Sequence, residues 1–178
     1  MKCYRCPNKV LKPVKLVERL PAKECGECSG VLLDLLSYRA WREDYVGAQP
    51  TVFDPSDVQD GDSALQCRSC SKLMLRFRVA AEYSNYVDVC STCDIAWLDG
   101  GEWELLEHLD AADKLTDIMS APWQAGVRRQ QMASITQADL QKDVGEEGVQ
   151  KLQAFVDWYS ALSDKSAVAR YLREHKVP

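Results

Sequence analysis

Apolar residues along this chain follow two short strand-like blocks and then a long helical stretch. Leu73, Leu75, Phe77 and Val79 alternate with Met74, Arg76 and Arg78, the period of a strand with one buried face. Tyr86-Val87-Asp88-Val89 predicts its hairpin partner, with Glu82 to Asn85 as the turn. Asp99-Gly100-Gly101-Glu102 then has the residues of a capping box, Asp99 as N-cap and Glu102 three positions on. A helix through Trp103, Leu105, Leu106 and Leu109 is expected after it.

An earlier block repeats this order. Residues 10–17 are strand-like, with Pro13 confining them to a sheet edge. Gly30-Val31-Leu32-Leu33-Asp34-Leu35-Leu36 leads into a helix on which Tyr38, Trp41 and Tyr45, three and four apart, share a face. Between the blocks, residues 46–64 combine Pro, Gly and four Asp with few apolar residues, the composition of a linker.

From Ser120 onward the period is helical. Ser120 before Pro122 marks a helix start, Thr136-x-x-Asp139 a second, and Gly145 a stop. Val149, Leu152, Val156, Tyr159 and Leu162 fall on one helical face, and Ser163 is expected to cap a last helix carrying Val168, Tyr171 and Leu172. This tail would pack on the earlier blocks, on itself or on another chain. The expected division is 1–45, a linker at 46–64, 65–109, and a helical segment at 110–178.

The cysteines change the picture. All eight fall in Cys-x-x-Cys pairs: Cys3/Cys6, Cys25/Cys28, Cys67/Cys70 and Cys90/Cys93. Eighteen residues separate Cys6 from Cys25 and nineteen separate Cys70 from Cys90, the spacing of a tetrathiolate metal site occurring twice. A block of about 45 residues buries too little apolar surface to fold comfortably alone. Bound Zn²⁺ contributes on the order of 10–16 kcal/mol in small peptides. Each tight turn places two sulfurs on one ion, and two turns close a tetrahedral shell with no position left for water or substrate. Two structural Zn²⁺ ions per chain are therefore expected, on Cys3, Cys6, Cys25 and Cys28 and on Cys67, Cys70, Cys90 and Cys93. The alternatives are disulfides, a thioredoxin-like redox pair, rubredoxin-like iron for electron transfer, and ligation that crosses the two halves. Iron knuckles usually carry Gly after the second Cys, where this chain has Pro7, Ser29, Ser71 and Asp94.

Cys67-Arg-Ser-Cys70, a hairpin, Cys90-Ser-Thr-Cys93, Trp97-Leu98-Asp99 and Gly101-Glu102 resemble the TFIIB-type zinc ribbons, also called transcription-factor zinc-finger domains. That family's second pair is followed by Gly-Gly-x-Trp-Leu-Asp-x-Gly-Glu. The resemblance covers residues 67–106, with Asp94-Ile95 in place of Gly-Gly. Residues 3–40 resemble a divergent copy: Gly30, Leu33 and Asp34 fit, Leu32 replaces the Trp, and Leu36-Ser37 replaces Gly-Glu. The resemblance implies two zinc-bound β-ribbons, each followed by a helix, within a small α+β protein that ends in a helical segment. Residues 110–178 lie outside it.

Charge bears on partners. The net charge of −5 would become about −9 with two tetrathiolate zinc centres, unlike the basic balance usual for non-specific nucleic-acid binding. The first 30 residues nevertheless hold seven Lys/Arg against three Glu. Lys2, Arg5, Lys9, Lys12, Lys15, Arg19 and Lys23, with Tyr4 for base stacking, form a candidate nucleic-acid surface. No Ser/His/Asp arrangement, phosphate loop or His-Glu metal motif is present, and His108 and His175 are not needed as ligands. The expectation is a non-enzymatic adaptor that docks on a protein partner, Trp residues supplying anchors. A nucleic-acid-binding regulator is the first alternative and an iron electron carrier the second. Neither an apolar leader nor a membrane-length apolar run is visible, so a cytoplasmic setting without membrane contact is expected.

Overall fold

A computed structural model describes residues 1–17, 19–47, 58, 61 and 63–175 of the chain. They divide into two units, residues 1–131 and 132–178. The first is a small α+β unit built on a six-stranded antiparallel sheet. Its strands are β1 (Lys12–Lys15), β2 (Pro21–Glu24), β3 (Val31–Asp34), β4 (Leu75–Arg78), β5 (Tyr86–Cys90) and β6 (Ile95–Leu98). Their spatial order is β1-β2-β3-β6-β5-β4, so the two cysteine blocks are halves of one sheet, joined where β3 pairs with β6.

That seam has an internal two-fold. Residues 25–34 correspond to 90–99 at an offset of 65. Across the seam Val31 faces Leu98, Leu32 faces Trp97 and Leu33 faces Ala96. Each residue therefore meets the counterpart of its mirror position, and the pseudo-axis passes through the Leu32–Trp97 pair. Such self-complementary pairing is the geometry of an isologous dimer interface, here within one chain.

Side chains alternate across the pleat, and the two sheet faces do different jobs. Val31, Leu33, Val87, Val89, Ala96 and Leu98 point to a core completed by helices α1 (Leu35–Glu43), α2 (Glu102–His108) and α3 (Leu115–Ile118). Leu32, Cys90, Ile95 and Trp97 point the other way, into a cluster that contains cysteines of both halves. Each fully buried Leu here contributes roughly 1.5–3 kcal/mol. With both faces covered, β3 and β6 read as unbroken apolar runs and give no alternation signal. Periodicity alone therefore misses them as strands.

Helix α1 starts at Asp34, whose carboxylate accepts from the Ser37 N–H at 2.7 Å. It buries Leu35, Tyr38 and Trp41. Tyr38 Oη donates to the Ala112 carbonyl at 2.8 Å and accepts from the Leu115 N–H at 2.9 Å, fastening α1 to the α2–α3 connection. Tyr45 lies just past the helix end and packs its ring 4.5 Å from Trp41.

On β4 the predicted period holds but its burial shifts. Phe77 packs against the helical core and Val79 lies within it, whereas Leu73 and Leu75 are 71% and 55% exposed. Met74 is buried instead, on the cysteine-bearing face. β4 is an edge strand, and the helices do not reach its first residues. Farther along, Gln124 accepts from the Arg78 N–H and donates to the Arg78 carbonyl at 3.2 and 2.8 Å. This side chain occupies hydrogen-bonding groups of the edge strand that another chain would otherwise pair with.

Helix α4 (Ala121–Ala161) begins as predicted, Ser120 Oγ accepting from the Trp123 N–H at 3.3 Å. Gly145 breaks it with φ 73° and ψ 170°, a conformation essentially confined to glycine. The second start predicted at Thr136 is absent: the helix runs through it and Thr136 Oγ1 donates to the Met132 carbonyl. Ser163 does not cap α5 (Ser166–Glu174) either. Lys165 is the N-cap and has no side-chain cap bond, while Asp164 just before it accepts from the Ser166 N–H at 2.8 Å. Within residues 132–178, Phe155 packs on Trp158 and Tyr159 with ring centroids 5.6 and 5.9 Å away. No helix among the described residues is long and apolar enough to cross a membrane. Most of the predicted linker, residues 48–57, 59, 60 and 62, lies outside the described residues.

Candidate metal centres

Each half folds its four cysteines into one cluster, Cys3, Cys6, Cys25 and Cys28 in the first and Cys67, Cys70, Cys90 and Cys93 in the second. All ligand sulfurs within a cluster lie within 4.8 Å of one another. Each cluster is thus local to its half, not crossed, and all eight thiols are free of disulfides. The Sγ–Sγ distances are 3.6 Å for Cys3–Cys28, 3.8 Å for Cys67–Cys93 and 3.5 Å for Cys70–Cys90. Four sulfurs at about 2.3 Å from one tetrahedral ion would stand about 3.8 Å apart. These three separations suit a shared metal ion.

The backbone prepares the sulfurs for negative charge. Cys6 N–H donates to Cys3 Sγ at 3.2 Å. Burial pushes the Cys25 thiol up, but the N–H groups of Cys28 and Glu27 outweigh it and draw the group down to about 7. Cys67, under the same opposition from the N–H groups of Cys70 and Ser69, falls to about 6. Burial raises the Cys28 thiol far above its ordinary range, and its sulfur neighbours add to the rise. Cys93 is pushed up to about 12, chiefly by the Cys70 side chain and then by burial. Crowded thiols resist ionising together in the absence of a cation. A bound divalent ion would supply the missing countercharge.

The residues after three of the second cysteines, Ser29, Ser71 and Asp94, have φ of 52°, 60° and 53°. They adopt the left-handed turn that glycine serves in iron knuckles, so the missing glycines do not distinguish zinc from iron. Tetrahedral sulfur coordination suits both.

Two glycines are fixed by close approach. A Cβ on Gly30 would fall inside the Trp97 indole, and one on Gly100 would strike the Cys28 carbonyl oxygen. Trp97 itself is fully buried, with the Tyr4 ring tilted against it at 4.9 Å and Nε1–H donating to Asp99 at 2.8 Å.

Asp99 is a hub, not a helix cap. Its carboxylate accepts from Arg5 at 2.6 to 3.1 Å, from Trp97, and from the Gly61 N–H at 3.1 Å. Gly101 is the N-cap of α2, and the predicted capping box survives only in half: Glu102 accepts from the Asp99 N–H at 2.7 Å. Burial tends to raise Asp99, but the Arg5 and Trp97 donors hold it below the ordinary carboxylate range. Its buried neighbour Asp88 lies 3.9 Å from Arg5 and 3.8 Å from Arg76. There burial prevails over both arginines and pushes the carboxyl up to about 6. The sequence offers one signal for this network, a lone Asp88 inside the apolar run Tyr86-Val87-Asp88-Val89, which strand periodicity alone would assign to a solvent-facing position.

The proposed basic surface is only partly free. Tyr4 is buried against Trp97 and cannot stack on a base. Arg5 is committed to Asp99 and the Ser63 carbonyl, and Lys9 pairs with Glu27 at 2.7 Å. Lys2, Lys12, Lys15, Arg19 and Lys23 are exposed. His108 and His175 are exposed and stand outside both clusters.

Comparison of the chain with protein-family models, curated proteins and solved structures returns no match.

Proposed function

We propose that this protein is a zinc-binding, non-enzymatic adaptor whose two tetracysteine centres hold a sheet in shape for docking on a protein partner. The observation that carries the reading is the closure of both shells: four protein sulfurs at tetrahedral spacing leave no coordination position for substrate. Zinc is favoured over ferrous iron by the general affinity order of divalent metals for one donor set. The resemblance to TFIIB-type zinc ribbons points the same way. Exposed Leu152, Val156 and Trp158 on α4 and Tyr171 on α5 supply apolar contact surface, and Trp is enriched at binding hot spots. The diversion of Tyr4, Arg5 and Lys9 into internal contacts argues against the nucleic-acid alternative.

Elemental analysis and an optical spectrum of the native protein test the metal: two zinc per chain and no visible absorption are expected. A red, iron-containing protein would replace the adaptor by an electron carrier. Docking is tested by capturing partners with the intact chain and with Trp158→Asp. A partner held equally by both forms would remove the C-terminal helices from the role.

A further inference from the structure

We propose that the two metal centres are thermodynamically coupled, so that an ion at one cluster raises the affinity of the other. The inference rests on both clusters being metal sites.

The coupling has a contiguous physical basis. The turn Cys3-Tyr4-Arg5-Cys6 of the first centre and the turn Cys67-Arg68-Ser69-Cys70 of the second touch directly. Arg68 Nη2 donates to the carbonyls of Cys3 and Tyr4 at 3.3 Å each, and the Arg68 N–H donates to Tyr4 Oη at 3.4 Å. Cys3 and Cys67 are ligands, so each turn is a hydrogen-bonding wall of the other. Between them lies a single apolar cluster that joins Cys3 and Cys25 to Cys67 and Cys90 through Tyr4, Leu32, Ile95 and Trp97.

Two further links cross the seam. Arg5, between two ligands of the first centre, grips Asp99 just after β6. Asp94, next to the last ligand of the second centre, accepts a two-pronged bond from Arg39 on α1 at 2.6 and 2.8 Å, and its carbonyl accepts from the Leu35 N–H at 2.9 Å. A knuckle that loses its ion loses its ordered turn. Disordering either turn then removes hydrogen-bond partners and packing from the opposite ligand set. Coupling of this kind is reciprocal, and typical magnitudes are roughly 5- to 150-fold in affinity.

The test titrates metal-free full-length protein with Zn²⁺ and counts zero-, one- and two-ion species by native mass spectrometry. Chelator competition then measures site affinities in three variants. In the wild type at one equivalent, the one-ion species is expected well below the half of all molecules that independent equal sites would give. Cys70→Ser should weaken zinc at the first centre by roughly 5- to 150-fold, and Cys28→Ser should weaken the second by the same factor. Complete loss of zinc from both centres in either variant would be the strong limit of the same coupling. Arg68→Ala, which leaves all eight thiols in place, should still bind two ions while the one-ion species rises toward its statistical share. An untouched centre that keeps its affinity within about twofold in both cysteine variants overturns the coupling. An Arg68→Ala distribution identical to wild type overturns the assigned contact. Wild-type protein that binds no zinc at all would instead sink the metal reading itself.

Discussion

Asp99 shows how far one residue's role can depart from its local motif. Placed two positions before Gly101 and three before Glu102, it has every local mark of an N-cap, yet its carboxylate serves Arg5, Trp97 and Gly61. A cap contributes about 1 kcal/mol, whereas breaking a buried ion pair costs about 3–5 kcal/mol because the remaining charge is stranded. Arg5 keeps partial solvent access and a second carboxylate nearby. Asp99→Asn is therefore expected to lower the unfolding free energy by about 2–3 kcal/mol at neutral pH, read from urea denaturation of metal-loaded protein. A loss under about 1 kcal/mol would return Asp99 to a capping role. Gly30→Ala is expected to cost a similar amount, about 3 kcal/mol at the upper end of the usual overpacking range, since the new methyl would occupy the space of the Trp97 ring. Its Tm should drop visibly, and an unchanged Tm would mean that the indole can move.

At the scale of elements, what the sequence reveals depends on whether a strand has one covered face or two. Leu73 to Val79 betrays a strand because its polar positions alternate, while β3 and β6, covered on both faces, look like generic apolar runs. The short strand β2 escapes notice for a different reason: Pro21-Ala22-Lys23-Glu24 has almost no β-forming character, and pairing with β1 and β3 imposes its conformation. Helix starts with a side-chain acceptor at the right place, such as Ser120, are legible. Thr136 offers the same residue type but bonds back to Met132 and caps nothing.

Two predictions belong at this scale. Ala96→Pro should remove a ladder bond at the seam and destabilise by about 3 kcal/mol or more. Hydrogen exchange should then accelerate in β2 and β5 together, and acceleration confined to one half would show that the seam is dispensable. Gly145→Ala should raise far-UV helical content, because alanine is strained in the broken conformation but favoured by about 1 kcal/mol over glycine in a continuous helix. Unchanged ellipticity would mean that packing, not the residue, enforces the break.

At the scale of the molecule, the cysteine spacing made both four-cysteine clusters legible, each within its own half, because the Cys-x-x-Cys turn and an 18- or 19-residue gap leave little geometric freedom. The joining of the halves was not legible. It depends on register between segments some 65 residues apart, and no local pattern encodes that. Removal of metal should accordingly melt residues 1–131 as one body. With excess chelator, the near-UV signal of Trp41, Trp97 and Trp103 is expected to vanish in a single transition. Two separated transitions would mean that the halves stand alone.

The seam register also has a consequence for fragments. Because the Leu32–Trp97 axis makes β3 and β6 mutually complementary, a polypeptide severed anywhere between residues 48 and 60 would leave two pieces with matching open borders. When mixed with zinc they should recombine into a native-like heteroduplex.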